Sequence, residues 1–326
     1  MGPGALEGLS INLNFKAGTP MLLTEAHTLR LALGTAEVAG RAITKTQFIA
    51  LVHAALKAGV TIFDTASNYQ DGRSQEWLRD ALLTYCESVD VNFCLDRILI
   101  VTKVGQLSNS EWQRRCLSDQ AAPYYDFSLS FLEQQLNAAA TVFRDVGQMM
   151  VLLHNPEDDT RFEHIYDLHR IARMLEGWVE RGCFIGWGLS SWSGLLSCDS
   201  SPAKFQLSQL LSDEEGKRFK FFKAVQIPMG LWNSKQVFMP AQSLGPSNNY
   251  ADVFEVSENC GIAVLVNSCF LGGERLPQNS INADERKLTP TDILKLCSDM
   301  VPVAIRVIGA TQPHTIETSV KIFLEG

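Results

Sequence analysis

Short apolar runs alternate with longer stretches of helical periodicity along this chain. Several runs, such as ILIV, MMVLL and IAVLV, are apolar at every position, as strands that are buried on both faces must be. The predicted strands are residues 31–33, 61–63, 98–103, 149–154, 184–189, 224–227, 262–267 and 303–308. The predicted helices that follow them are residues 45–58, 74–86, 130–144, 162–181, 203–211, 251–259, 289–299 and 313–324.

Alternating strands and helices require crossover connections, and these make neighbouring strands parallel. Eight such units predict an α/β fold, a single (β/α)8 TIM barrel that takes residues 1–326 as one domain. A doubly wound sheet is the competing arrangement, but its glycine fingerprint GxGxxG is absent. Gly186 and Gly188 match the first two glycines, and Ser191 stands where the third glycine would be. Residues 10–28 are expected to form a hairpin that closes the bottom of the barrel. Residues 1–9 are expected to be disordered or to derive from cloning.

Polar side chains end three consecutive predicted strands. They are Asp64 in TIFDTASNY, Lys103 in ILIVTKVG and His154 in MMVLLHNPE, and Tyr69 follows Asp64 by five residues. Each has a plainer explanation, as a turn cap, an exposed loop residue or a satisfied core histidine. Because the carboxyl ends of barrel strands form the catalytic rim, their joint occurrence favours a site where all four meet.

This set of side chains suits proton donation to a carbonyl oxygen. A free tyrosine has a pKa near 10, and a neighbouring ammonium favours the phenolate, so Lys103 is predicted to lower the pKa of Tyr69. Asp64 would pair with Lys103 and offset part of its burial cost. His154 would hydrogen-bond the substrate oxygen and orient it. No protein side chain donates a hydride, so a redox cofactor is expected.

Composition narrows the classes of function. With 28 Lys+Arg against 36 Asp+Glu the net charge is −8, which disfavours nucleic-acid binding. No apolar run approaches the roughly 20 residues that span a bilayer, and the first residues lack a secretory pattern, so we expect a cytoplasmic protein with no membrane partner. The eight cysteines have no CxxC spacing and are expected to be reduced and mostly buried. The histidines lack the spacing of metal ligands, so no metal is expected.

The stretch TIFDTASNYQDGRSQEWLRDAL is similar to the signature of the aldo-keto reductase family. It has Asp-Thr-Ala with a Tyr five residues after the Asp, then Gly, Ser, Glu and a short amphipathic helix. The strands that carry Lys103 and His154 follow in the family's order. The segments GCFIGWGLSSW, KAVQIPMGLWN, VLVNSCFLGG and RVIGATQPHTIETSV resemble later parts of the family pattern. The resemblance extends from about residue 31 to residue 323.

The resemblance implies an NADPH-dependent reductase that converts an aldehyde or ketone to an alcohol, as a monomer or weak homo-oligomer acting on a small-molecule carbonyl substrate. Tyr69 would be the general acid, Lys103 and Asp64 would tune it, and His154 would place the carbonyl. The implied NADP(H)-binding residues are Gly34, Thr35, Ser190, Ser191, Gln226, Ser268, Leu271, Gly309 and Thr311. Of these, Ser190 and Gln226 would contact the nicotinamide amide, and the last four would lie along the pyrophosphate and ribose.

The cofactor region also departs from the family pattern. Ser191 stands where an Asn is usual, and Met229 stands where an aromatic ring often stacks on the nicotinamide. Residues 309–312 carry no cation for a 2′-phosphate. Weaker or NADH-tolerant binding of the cofactor is therefore one alternative. Two others stay open: a repurposed barrel that catalyses dehydration, cyclisation or isomerisation of a carbonyl compound, and a non-catalytic binding subunit.

Two long loops are candidate walls of a substrate pocket. Residues 105–127 include Trp112, Tyr124 and Tyr125, and residues 231–250 include further aromatic side chains. Loops of this length in compact domains are usually lids or binding loops. Trp192 is a third candidate wall.

Overall fold

The structure is a computed structural model, and it describes residues 29–37, 43–88, 97–118, 123–159, 162, 165–197, 199, 201–212, 215–244, 249–271 and 288–325. The hairpin predicted at residues 10–28 and the segment 1–9 lie outside the described residues. The prediction that residues 1–326 form one domain therefore stays a prediction.

Ten strands are described. They are β1 (Leu31–Gly34), β2 (Ile62–Asp64), β3 (Leu99–Val104), β4 (Gln148–His154), β5 (Gly186–Ser190), β6 (Phe222–Pro228), β7 (Gln242–Ser243), β8 (Tyr250–Ala251), β9 (Ala263–Asn267) and β10 (Ile305–Gly309). Eight of them close into a parallel barrel in the order β1-β10-β9-β6-β5-β4-β3-β2, while β7 and β8 form a separate antiparallel pair. The predicted (β/α)8 TIM barrel is confirmed.

Helices connect the barrel strands on the outside. They are α1 (Lys45–Lys57), α2 (Tyr69–Gly72), α3 (Ser74–Cys86), α4 (Asn109–Cys116), α5 (Leu129–Val142), α6 (His169–Glu180), α7 (Leu207–Leu210), α8 (Ser234–Val237), α9 (Val253–Cys260), α10 (Pro290–Met300) and α11 (Pro313–Glu325). Within the described part of the chain, no helix has the length and apolar character needed to cross a membrane.

Two predicted helices are shorter than expected. Where one helix is predicted at residues 162–181, the structure has a 3-10 turn at Ile165–Leu168 followed by α6. The prediction for residues 203–211 becomes the single turn α7. The residues before α7 hydrogen-bond to other segments instead. The Phe205 N–H donates to the Gly194 carbonyl, and the Gln206 side-chain amide donates to the Ala241 carbonyl. Tertiary hydrogen bonds thus replace the helical ones.

The loop at residues 105–127 contains a helix that the analysis did not predict. Helix α4 begins after Ser108, whose hydroxyl accepts from the Glu111 N–H while the Glu111 side chain accepts from the Ser108 N–H. This reciprocal capping box satisfies two backbone donors that a helix start otherwise leaves unpaired. The start of this helix is therefore marked in the sequence by Ser108 and Glu111.

The apolar core has two layers. The barrel interior is filled by Ala32, Ile62, Leu99, Val101, Met150, Leu152, Ala224, Leu265, Ile305 and Val307. A larger layer lies between the outer face of the strands and the helices. At Gly188 in β5 an added Cβ would lie 2.0 Å from the Ala224 carbonyl oxygen, so only glycine permits this approach of β5 to β6. The same register sets Ser190 beside Gln226.

Candidate active site

Three neighbouring strands deliver the predicted polar groups to one rim. Asp64 is the last residue of β2, Lys103 precedes the last residue of β3, and His154 ends β4. Tyr69 begins the short segment α2 directly above β2. The structure brings all four side chains together, as the sequence predicts.

A buried ion pair forms the centre of this group. The Lys103 ammonium donates to Asp64 Oδ1 at 2.7 Å, to Tyr69 Oη at 3.1 Å and to the Thr65 carbonyl at 3.1 Å. Lys103 is 0% exposed and Asp64 is 3% exposed. An ammonium has three N–H donors, and here all three are used. These hydrogen bonds offset part of the free-energy cost of removing the charge from water.

Lys103 keeps its charge in this setting. Burial opposes the ammonium, but the Asp64 carboxylate, with Tyr69 and their hydrogen bonds, outweighs it, and the pKa of Lys103 is raised above its ordinary value. The side chain is therefore a permanent cation beside the Tyr69 hydroxyl at neutral pH.

The pKa of Tyr69 shifts in the direction opposite to the prediction. Burial raises the pKa of Tyr69, the nearby Lys103 lowers it, and Asp64 raises it again, so the net pKa lies above the usual value. The prediction of a lowered pKa is wrong because it weighed the ammonium and not the desolvation of the phenolate. The phenol consequently holds its proton at neutral pH, as a proton donor must.

His154 is held neutral. Burial lowers its pKa well below the usual value, and the Lys103 charge lowers it further. Its ring meets the Tyr69 ring edge to face, with centroids 5.8 Å apart and planes at 80°. A neutral imidazole offers one N–H donor and one acceptor, so His154 can hydrogen-bond an uncharged carbonyl oxygen.

Tyr69 is followed by a strained turn that is hydrogen-bonded to helix α4. Gln70 and Asp71 both adopt left-handed backbone angles, with φ of 51° and 54°, which non-glycine residues seldom do. Asp71 Oδ1 accepts from the Ser110 N–H at 2.8 Å, and Asp71 Oδ2 accepts from the Ser110 hydroxyl. The turn is thus tied to helix α4. Asp71 could not be predicted from local sequence, because its contact with Ser110 joins residues that are far apart in the chain.

Ser190 and Gln226 extend the network from the other side of the rim. The Ser190 hydroxyl donates to Gln226 Oε1 at 3.0 Å, and Gln226 Nε2 donates to Asp64 Oδ2 at 2.8 Å. Gln226 is fully buried. Each oxygen of the Asp64 carboxylate therefore has its own donor, Lys103 on one and Gln226 on the other. The contact between Gln226 and Asp64 could not be anticipated from the sequence.

The remaining predicted cofactor residues surround this network. Thr35 donates its N–H and hydroxyl to the Asp64 carbonyl, and Gly34 pairs with Asp64 and Gly309 in the barrel register. The Ser191 hydroxyl donates to Glu157 Oε1 at 2.9 Å and is thereby engaged within the β4 and β5 loops. The others follow strand ends: Ser268 and Leu271 lie after β9, Gly309 ends β10 and Thr311 follows it.

Ser190 and Gln226 are the residues that could hold the amide end of a nicotinamide. Gln226 is buried and donates one amide N–H to Asp64. Ser190, bound to the same amide, is held beside it. In the described chain no cluster of three His, Cys, Asp or Glu side chains could hold a metal ion.

Aromatic side chains line the candidate pocket loops. Trp192 and Trp232 stack with centroids 6.2 Å apart, and Trp192 is 41% exposed. Near helix α4, Trp112 packs edge to face on Tyr124 at 5.8 Å. These rings are available as apolar walls for a substrate.

Comparison with known proteins places this geometry in context. The model of the Aldo/keto reductase family matches residues 30–302. A search of curated proteins gave no match. Glycerol dehydrogenase from Gluconobacter oxydans is similar in structure, with a TM-score of 0.60, 17% identity, and coverage of 90% of this chain and 86% of that one. An aldo/keto reductase from Klebsiella pneumoniae, solved with NADP and acetate, has a TM-score of 0.55, 18% identity, and coverage of 90% and 85%.

Proposed function

Since this chain belongs to the aldo/keto reductase family and is an NAD(P)H-dependent oxidoreductase, we propose that it reduces an aldehyde or ketone to an alcohol with Tyr69 as the proton donor. The observation that carries this proposal is the contact of the Tyr69 hydroxyl with the buried Lys103 ammonium at 3.1 Å. NADPH, when bound, supplies the hydride. The similar Klebsiella protein binds NADP, which supports this choice of cofactor.

The charges of the site favour proton transfer at one stage of the reaction. Before the reaction the phenol is protonated, because burial raises the pKa of Tyr69. As negative charge develops on the substrate oxygen, the phenol proton moves to that oxygen. The phenolate that remains lies next to the Lys103 ammonium, which stabilises it electrostatically. Lys103 thus acts mainly on the product of the transfer.

Asp64 and His154 have positioning roles in this proposal. Asp64 holds the Lys103 ammonium within reach of Tyr69 and is itself held by Gln226. His154, neutral and packed against the Tyr69 ring, would donate a hydrogen bond to the carbonyl oxygen and keep it near the phenol. Ser190 and Gln226 would bind the nicotinamide amide. Gly34, Thr35, Ser191, Ser268, Leu271, Gly309 and Thr311 are proposed as the other cofactor-binding positions.

The proposal is tested by mixing the protein with NADPH and a generic aldehyde. We expect NADPH to quench tryptophan fluorescence, because Trp192 and Trp232 lie at the rim, and to be consumed when the aldehyde is added. Failure of NADPH and NADH to bind at about millimolar concentration, which corresponds to about 4 kcal/mol of binding free energy, would refute the proposal. Turnover of a carbonyl compound without nucleotide would instead support a redox-neutral enzyme.

We also propose that the protein acts in the cytoplasm on a small-molecule carbonyl substrate, as a monomer or weak homo-oligomer. Light scattering during gel filtration measures the mass in solution. A stable large assembly, or co-purification with a second protein and no turnover, would favour a binding subunit over this proposal.

A further inference from the structure

Two cysteines that lie outside the group of Asp64, Tyr69, Lys103 and His154 have their sulfur atoms in contact. Cys269 Sγ donates a hydrogen bond to Cys297 Sγ over 3.3 Å. Cys269 lies two residues after β9 and is partly exposed, whereas Cys297 lies in helix α10 and is buried. Both thiols are free. Two of the six described cysteines, Cys86 and Cys297, are buried, so the expectation that the cysteines are mostly buried is wrong for the described residues. Cys269 belongs to the loop that follows β9.

The two thiols differ in acidity. The hydrogen bond from Cys269 lowers the pKa of Cys297, and the Leu231 backbone and the Arg306 guanidinium lower it further, which together outweigh the effect of burial. The pKa of Cys269 is raised, first by this hydrogen bond and then by burial. The lowered pKa favours Cys297 as the attacking thiolate, and Cys269, with its sulfur 3.3 Å away, is placed to attack Cys297 after oxidation.

Cys269 lies inside a tight turn that carries two predicted cofactor residues. The Leu271 N–H donates to the Ser268 carbonyl at 2.8 Å, and both residues have left-handed backbone angles, with φ of 47° and 59°. The Trp232 indole N–H donates to the same Ser268 carbonyl at 3.2 Å. An added Cβ at Gly230 would lie 2.5 Å from the Cys269 carbonyl oxygen. The turn has little freedom to shift without breaking these contacts.

We propose that Cys269 and Cys297 form a reversible disulfide that distorts the turn at residues 268–271 and weakens NADP(H) binding. The effect on the cofactor rests on the function proposed above. A disulfide bond is about 2.0 Å long, so the sulfur atoms must approach by about 1.3 Å from their present 3.3 Å. Because Cys297 is fixed in a helix, the approach falls mainly on Cys269 and its turn.

The oxidant is a peroxide, and the step balances. The Cys297 thiolate attacks one peroxide oxygen, the O–O bond breaks, and Cys297 becomes a sulfenic acid with release of hydroxide. The Cys269 thiol then attacks the Cys297 sulfur, the S–S bond forms, the S–O bond breaks and water leaves. The two sulfurs are oxidised and the peroxide is reduced. A dithiol reverses the reaction and becomes a disulfide itself.

The first arm of the test needs no cofactor. The full-length protein is treated with hydrogen peroxide, its remaining thiols are blocked, and its peptides are mapped by mass spectrometry without reduction. We expect a linked peptide that joins Cys269 to Cys297, absent in Cys269→Ser and in Cys297→Ser. Cys260→Ser, which removes a half-exposed thiol elsewhere, should retain it. Absence of the linked peptide in the wild type would overturn the proposal.

The second arm compares NADPH binding to the reduced, oxidised and re-reduced protein by tryptophan fluorescence. We expect binding to weaken at least tenfold on oxidation and to recover with dithiothreitol, while Cys297→Ser binds normally and does not respond to peroxide. Equal affinity in both states would overturn the effect on the cofactor. No NADPH binding in either state would refute the proposed function as well, whereas the linked peptide still decides whether the disulfide forms.

Discussion

The two halves of the barrel rim are organised differently. On the side of β2, β3 and β4, the polar groups of Asp64, Lys103 and Tyr69 bond to one another and complete their geometry within the protein. On the side of β5, β6, β9 and β10, Ser268 and Leu271 have left-handed backbone angles, and the buried Gln226 is bonded to Ser190 and to Asp64 across the barrel. In the proposed function, the first half donates the proton and the second half binds the cofactor.

The proposed proton donation uses contacts that the protein already makes, since Lys103 is bonded to both Asp64 and Tyr69. The proposed cofactor binding would use contacts that form only when the cofactor is bound. Gln226 connects the two halves, because it reaches Asp64 on one side and Ser190 on the other.

The substitution Tyr69→Phe has the largest expected effect on the half of the rim that carries β2, β3 and β4. This change removes the proposed proton donor and keeps the ring that packs on His154. We expect kcat to fall by a factor of about 10² to 10⁴, the usual contribution of a general acid, with the Kd for NADPH nearly unchanged. Steady-state kinetics and fluorescence titration measure the two quantities.

The matched control is Tyr124→Phe, which removes a phenol from the loop region near helix α4. It should keep kcat within about threefold of the wild type, since small effects are typical away from the reacting groups. Similar losses in both variants would contradict the role assigned to Tyr69.

Lys103→Met tests the preorganised half through stability. It leaves the Asp64 carboxylate buried without its cation, which costs about 3 to 5 kcal/mol in comparable cases. We expect the free energy of unfolding in urea to fall by this amount. The double variant Lys103→Met with Asp64→Asn should recover part of the loss, because the remaining group is then uncharged. A double variant as unstable as the sum of the single changes would contradict coupling of the two.

Gln226→Leu tests the link between the halves. It leaves Asp64 Oδ2 without its donor, a loss of about 1 to 3 kcal/mol for a buried acceptor. We expect kcat to fall and the KM for NADPH to rise, with kcat/KM lower by roughly 10-fold to 100-fold. Ser190→Ala, which removes only the donor to Gln226 Oε1, should have a smaller effect in the same assays. A change in KM alone would mean that Gln226 serves the cofactor and not Asp64.

The pH dependence of stability gives the smallest effect. The pKa of folded His154 lies well below its unfolded value of about 6.5, so the unfolded chain takes up a proton first as the pH falls. Its contribution to stability is therefore complete above about pH 6.5 and is lost below it, by up to about 1.4 kcal/mol per pH unit. His154→Gln should flatten the slope of unfolding free energy between pH 7 and pH 5. The half-exposed control His53→Gln should leave it steep.

The barrel and the meeting of Asp64, Tyr69, Lys103 and His154 at its rim were predictable because a local sequence pattern marks each strand and its end. Strands buried on both faces read as continuous apolar runs, and Lys103 and His154 stand out where such runs end. The start of helix α4 also has a local signal, since Ser108 and Glu111 have the spacing of a capping box.

The remaining features depend on contacts between distant segments. Residues 203–206 are held by Gly194 and Ala241, which no local pattern reveals. The raised pKa of Tyr69 follows from the depth of its burial, and the sequence shows the neighbouring lysine without showing that depth. The contact of Gln226 with Asp64 spans the barrel interior from β6 to β2.

In the proposed reaction, Tyr69 gives a proton to a carbonyl that receives a hydride from a nicotinamide. Its most direct test is a single-turnover reaction of the protein with NADPH that carries two deuterium atoms at C4 and a generic aldehyde, followed by mass spectrometry of the alcohol. We expect one deuterium on the carbinol carbon, and we expect Tyr69→Phe to form this alcohol at least about 100-fold more slowly. An alcohol without deuterium, or equal rates for the two proteins, would contradict it.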